Sequence, residues 1–304
     1  MTAAFTVHTL DLKFQGYPKA IASYLISHPE GGVLVECGPG STLPRLQEAL
    51  RSHDVQPEDI TDVLLTHIHL DHAGSAGWWA RQGARIHVHE VGAPHMIDPS
   101  KLLASAGRIY GDRMEELWGE FLPVPEDQLI PLQDGDSVQI SDLVFTAVDT
   151  PGHAYHHMAY LINGLCFSGD IGGVRIPTSG PRHIRIPMPP PELHLELWKE
   201  SVKKLQEKNI RRIAPTHFGI FDDPDWHLKK VLEEIDHASA WMFEIMPQSL
   251  EVDRLRDEFI RWTTEKSLQE GLTREVLDPF EKANPSGMSA DGIKRYWEKH
   301  VLDE

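Results

Sequence analysis

The sequence predicts an α/β fold in which two β-sheets pack face to face with helices outside, followed by a helical C-terminal extension. Three observations predict it. Short β-branched or aromatic-rich runs, bounded by Gly, Pro or Asp, recur through residues 1–220. They come in two batches with helical stretches between them. From Asp225 onward the strand signal stops and apolar residues fall at helical spacing instead.

In chain order, the first batch of expected strands is 6–14, 21–27, 33–37, 63–66 and 85–89, with Gly31-Gly32 as a hairpin turn. The second batch is 138–140, 143–149, 158–162, 165–168 and 212–215, with Asn163-Gly164 as a turn. Leu43, Leu46 and Leu50 share one helical face after the Ser41-Thr42 cap signal. Leu195, Trp198, Val202 and Leu205 form a second stripe. Residues 94–122 carry Leu102, Ile109, Met114, Leu117, Trp118 and Phe121 at helical spacing and read as a helical insertion. Residues 226–246, 250–268 and 289–301 read as three amphipathic helices. The expected division is a first domain over 1–222 and a helical domain or lid over 223–304.

Composition narrows the function classes. A net charge of −17 over 304 residues disfavours nucleic acid as a partner, because phosphate binding needs clustered Lys and Arg. No apolar run is long enough to span a bilayer, so no membrane association is expected. The start of the chain, with Asp11 and Lys13, lacks the apolar core of a secretory signal. The two cysteines, Cys37 and Cys166, sit in apolar runs and read as small buried hydrophobes, which points to a cytoplasmic protein. Histidine is the unusual count, at 18.

Those histidines cluster. Thr66-His67-Ile68-His69-Leu70-Asp71-His72 follows the apolar run 63–65. His67 and His69 are two apart, so in extended backbone they point the same way, and Asp71 and His72 then turn to a neighbouring position. One loop can thus offer two ligands to each of two metal ions. Downstream come Thr150-Pro151-Gly152-His153, Phe167-Ser168-Gly169-Asp170 and Pro215-Thr216-His217, each at the end of an apolar strand candidate. A sheet edge holding short loops is a rigid frame for metal ligands. Imidazole and carboxylate suit zinc, and also iron or manganese. No Gly-x-Ser-x-Gly elbow is present.

The set THIHLDH, TPGH, SGD and PTH, in this order, resembles the metallo-β-lactamase superfamily over roughly residues 20–220. The resemblance implies an αββα sandwich with two divalent metal ions at one edge. It implies that His67, His69 and His153 hold one, that Asp71, His72 and His217 hold the other, and that Asp170 bridges both. It implies hydrolysis of an ester-like bond (lactone, thioester or phosphoester) by water shared between the metals, with Asp71 also accepting a proton. Glu36, in Glu36-Cys37-Gly38-Pro39-Gly40, is expected to support the loop rather than to ligate. Two other readings stand beside this one: a mononuclear iron dioxygenase acting on a persulfide on the same fold, and a non-catalytic binding module, which the intact ligand set opposes.

Tyr155 and His156 follow His153 closely and are candidates to contact a small-molecule substrate. Arg175, His183 and Arg185 lie in a Pro- and Gly-rich loop after Asp170 and are candidates to bind an anionic group. The 94–122 insertion could roof the site, and with the C-terminal helices it leaves a homodimer open.

Overall fold

A computed structural model describes residues 5–178 and 180–302. The first sheet has six strands in the order β1 (Val7–Asp11), β2 (Ala22–His28), β3 (Gly31–Val35), β4 (Ile60–Leu64), β5 (Arg85–His89) and β6 (Leu129–Leu132). Its first three strands are antiparallel and β3 to β6 run parallel. The second sheet has five strands, β7 (Ser137–Ile140), β8 (Leu143–Asp149), β9 (Met158–Ile162), β10 (Leu165–Phe167) and β11 (Arg212–Ala214), ordered β11-β10-β9-β8-β7. Only the β10–β11 pair is parallel. Both sheets are mixed, as expected when hairpins and helical crossovers alternate.

The alternation of side chains along each strand builds the layers. Tyr24, Ile26, Val33 and Val35 from the first sheet meet Phe145, Met158, Tyr160 and Phe167 from the second in the central core. The opposite face of the first sheet is covered by α1 (Leu43–Arg51), α2 (Leu70–Ala73) and α3 (Ala76–Arg81), through Leu46, Leu50, Leu70 and Trp79. The insertion forms α4 (Ala93–Ile97), α5 (Ser100–Tyr110) and α6 (Met114–Trp118) and joins the same cluster. Outside the second sheet lie α7 (Leu195–Gln206) and α8 (Pro224–Ile245), where Trp198 and Val202 pack with Leu228, Val231 and Ile235. The helices α9 (Val252–Gln269), α10 (Arg274–Ala283) and α11 (Ser286–His300) complete the chain. Leu255, Phe259 and Ile293 share the α7–α8 core, so α9 and α11 pack onto the second sheet's outer helices. Among the described residues no helix is long and apolar enough to cross a membrane.

Three elements differ from the sequence expectation. The turn between β2 and β3 falls on Pro29-Glu30, and Gly31 is the first residue of β3. Gly31 has φ +147, and a Cβ there would lie 2.2 Å from the Asp59 carbonyl oxygen, so the glycine lets two backbones approach. Strand β6 carries Pro131, which an edge position tolerates because one side of the strand makes no ladder. Helix α10 contains Pro279 and lies between two of the three helices expected in this region.

Candidate metal centre

All seven ligand positions come together at the carboxyl ends of strands in the two sheets. β4 leads into the Thr66–His72 segment, β8 into His153, β10 into Asp170 and β11 into His217. The single turn α2, Leu70–Ala73, swings Asp71 and His72 away from His67 and His69. Three groups of ligand atoms lie within 4.8 Å of one another: His67/His69/His153, His67/His72/Asp170 and Asp71/His72/His217.

Asp170 stands between the groups. Its Oδ2 is 3.4 Å from His153 Nε2, while its Oδ1 is 3.4 Å from His72 Nε2 and 3.5 Å from His217 Nε2. Asp71 Oδ2 lies 3.5 Å from His217 Nε2 and 3.6 Å from His72 Nε2. His69 Nδ1 sits 2.9 Å from His67 Nε2 and 3.0 Å from His153 Nε2.

The outer nitrogens fix which atoms face inward. His153 Nδ1 donates to the Pro187 carbonyl (2.9 Å) and His217 Nδ1 to the Ala20 carbonyl (2.6 Å), so each ring in its neutral form turns an Nε2 lone pair into the site. The Thr66 hydroxyl donates to Glu36 Oε1 and so can only accept from His67 Nδ1 at 3.1 Å, which again leaves His67 Nε2 a lone pair. Glu36 is wholly buried and also receives the Thr216 hydroxyl (3.1 Å) and lies 3.2 Å from His72 Nδ1. It supports the ligand loop without entering it. The Asp170 backbone N–H donates to His157 Nε2 (3.2 Å), so His157 gives its Nδ1 proton to Thr150 Oγ1 (2.9 Å) and anchors the Asp170 turn. Gly169, with φ +49, lets this turn pass. A Cβ there would lie 2.5 Å from Thr66 Oγ1 and 2.6 Å from His157 Nε2.

Electrostatics divide the site. Burial, reinforced by the rings of His72, His69 and His153, holds His67 well below the ordinary imidazole range, and burial with His153 brings His69 to about 4. Burial also lowers His153. On the other side burial is outweighed. Asp71, Asp170 and Glu36 raise His72 well above the usual value, and Asp170 with Asp71 raises His217. Burial pushes the carboxylates up, but His72 and His217 bring Asp71 down to about 2 and hold Asp170 well below the carboxylate range.

A pair of divalent cations fits this donor set. His72 Nε2 and Asp170 Oδ1 are shielded from solvent and lack a hydrogen-bond partner among the described residues. Leaving such atoms unpaired costs about 1–3 kcal/mol each. The lone pairs of His67 and His153 converge on His69 Nδ1, and a single proton cannot serve them all. One cation held by His67, His69 and His153 and a second held by Asp71, His72 and His217, with Asp170 facing both, would satisfy these atoms at once, and imidazole with carboxylate suits zinc, iron or manganese.

The remaining predicted site residues divide. His156 lines the cavity above the ligands, its Nε2 3.5 Å from Glu192 Oε2. Tyr155 does not line it; its backbone N–H donates to Glu192 and its ring lies under Lys299. Arg175, His183 and Arg185 are drawn away from the cavity into ion pairs with the C-terminal region. Arg175 makes a bidentate pair with Asp223 (2.6 and 2.9 Å) beneath Phe221, His183 Nδ1 binds Glu270 at 2.7 Å, and Arg185 pairs with Glu281. Their polar groups are engaged in docking α8, α9 and α10, so anion binding from this loop does not follow. What sequence reasoning missed are the cavity walls: Phe14, Ala106, Tyr110 and Met288 line it alongside Leu102, Ile109 and Trp118 of the insertion.

Comparison with known proteins agrees with this geometry. The family model of the metallo-beta-lactamase superfamily matches residues 16–217, ending on the last ligand position. The chain is 26% identical over 217 residues to an atrochrysone carboxyl ACP thioesterase of Aspergillus fumigatus, covering 70% of this chain and 55% of that protein. It is 29% identical over 133 residues to a hydroxyacylglutathione hydrolase of Vibrio cholerae, covering 44% and 40%. The chain thus spans about half the length of these relatives. The fold matches the crystal structure of a metallo-beta-lactamase family protein, TTHA1429 of Thermus thermophilus, with a TM-score of 0.63 at 20% identity, covering 97% of this chain and 93% of that one.

Proposed function

Since the chain belongs to the metallo-beta-lactamase superfamily, we propose that it is a dinuclear metal-dependent hydrolase of an ester-like bond, with a thioester as the first bond to test. The observation that carries the reading is the convergence of seven His and Asp side chains beneath a cavity that five of them line, with His72 Nε2 and Asp170 Oδ1 buried and unpartnered among the described residues. The thioester preference is supported by the relatives named as an ACP thioesterase and a hydroxyacylglutathione hydrolase.

A pair of bound divalent cations supplies Lewis acidity toward the scissile carbonyl and lowers the pKa of water toward neutrality. The chain's own residues do the rest. His67, His69 and His153 would hold one cation, and Asp71, His72 and His217 would hold the other. Asp170 would offer one oxygen to each side. Asp71 lines the cavity and is placed to take the proton of the attacking water. His156 lines the cavity from outside the ligand set and is placed to hydrogen-bond the substrate. Residues of the insertion and of α11 line the cavity on the side away from the sheets.

The test is a panel of thioesters, lactones, phosphodiesters and β-lactams assayed with metal-loaded and metal-stripped protein. A rate with an ester-like class that is lost on stripping and restored on reloading is the expected result. No rate from fully loaded protein with any class refutes the reading.

A further inference from the structure

The cavity above the ligands has a volume of about 590 Å³, and its walls differ from its floor. One wall is a single face of α5: Leu102, Ala106, Ile109 and Tyr110 fall at i, i+4, i+7 and i+8. Pro189, Pro190 and Met288 face the same space. The Tyr110 hydroxyl donates to Met288 Sδ at 3.4 Å, joining the insertion to α11. Ile109 is left 41% exposed although it lies in this wall. A wall of this kind is built for an apolar group.

The charges around it are of both signs, but Lys101 and Lys282, from α5 and α10, place cations at one end of it. Outside the ligand set, Arg256 is tied to Asp291 by two 2.8 Å bonds, and Glu192 is engaged by Tyr155 and His156. Arg113 pairs with Glu116 at 3.5 Å, and two cations remain: among the described residues Lys101 has no hydrogen bond or ion pair, and Lys282 lies over the Tyr17 ring at 4.6 Å. In a chain of net charge −17, cations gathered at one end of a cavity add a local positive contribution to the field that an approaching substrate meets.

Resting on the hydrolase reading above, we propose that the substrate is an amphiphile: a medium- or long-chain acyl ester, seated by its acyl chain against the α5 face, whose thiol or alcohol carrier bears an anionic group such as a phosphate. Hydrolysis of the thioester form consumes one water. The C–O bond forms as C–S breaks, one water proton goes to the departing sulfur and the other is released, and the products are a carboxylate, a thiol and a proton.

Three matched substrates separate the parts of this proposal: octanoyl-phosphopantetheine, acetyl-phosphopantetheine and octanoyl-pantetheine, which lacks the phosphate. A buried methylene is worth about a factor of four. With partial burial the octanoyl chain should therefore raise kcat/KM over acetyl by about 100-fold, and the phosphate should raise it by about tenfold over its neutral counterpart at low salt. Ala106→Trp should lower the octanoyl-to-acetyl ratio. The triple change Lys101→Glu, Arg113→Glu, Lys282→Glu should abolish or invert the phosphate preference. The same ordering is read without turnover by calorimetric binding of the thioethers S-octyl-phosphopantetheine, S-ethyl-phosphopantetheine and S-octyl-pantetheine. Thioether binding in the expected order with no thioester hydrolysis upholds the amphiphile site and overturns the thioester reading. Hydrolysis that ignores chain length and charge overturns the amphiphile site and leaves the hydrolase reading standing. Thioethers bound without either preference overturn the proposal as well.

Discussion

Replacing Thr66 by valine keeps the side chain's shape and removes one hydroxyl that sits behind the ligand shell. That hydroxyl joins Glu36 Oε1 to His67 Nδ1. Without it, the His67 Nδ1–H has no acceptor, and Glu36 keeps only the Thr216 hydroxyl and the contact with His72. The ring can escape the unpaired donor by moving its proton to Nε2, but the proton then occupies the lone pair that faces His69 and the metal position. Orphaning a buried donor costs about 1–3 kcal/mol, and losing the outer partner of a ligating histidine costs about 10–100-fold in metal affinity. The assay is competition against a chromophoric chelator, with circular dichroism to confirm folding. A folded T66V protein that holds both metals as tightly as wild type would falsify the tautomer argument.

Three further outcomes follow from the same geometry. Asp170→Ala removes the carboxylate facing both ligand groups, so bound metal should fall and kcat/KM drop by about three orders of magnitude, the loss of several kcal/mol of charge stabilisation. Elemental analysis and steady-state kinetics check it, and unchanged metal content sinks it. Gly169→Ala forces a Cβ to within 2.5 Å of Thr66 Oγ1 at φ +49, and overpacking of this kind costs about 1–3 kcal/mol, so Tm and metal retention should both fall; an unshifted Tm would mean the turn has room. Burial pushes Glu270 up, but hydrogen bonds from His183, Lys230 and Lys266 outweigh it and hold the carboxyl well below its ordinary 4.5. Its contribution is therefore present above about pH 4.5 and lost as pH falls further, so the Tm difference between wild type and Glu270→Gln should shrink below that pH. A difference that grows on acidification has the wrong sign for this pairing.

The candidate metal centre was legible because its residues are local. Four of the seven candidate ligands, His67, His69, Asp71 and His72, occupy one loop, and the other three each follow an apolar run with Gly or Pro close by. The αββα layering was legible for a related reason: strand alternation and helical stripes are short-range patterns. What was not legible depends on distant partners. Arg175, His183 and Arg185 read as an anion-binding loop because they follow Asp170, but their carboxylates lie 48, 87 and 96 residues further along the chain. Without those partners a buried docking arginine and a substrate-binding arginine look alike in sequence. Strand β6 and helix α10 were hidden by Pro131 and Pro279, which tertiary position tolerates and local propensity penalises. Lys101 and Lys282 carry no local signal of a shared site, since only the fold brings α5 and α10 to one cavity.

The functional reading rests on seven side chains forming one site for two cations. Metal content by elemental mass spectrometry, on protein reconstituted with excess zinc and freed of loosely bound ions, tests this at its root. Two equivalents per chain, falling in Asp170→Ala, is the expected result. One equivalent per chain under every loading condition, with a single iron supporting turnover, would rule out the dinuclear centre and turn the fold toward dioxygenase chemistry.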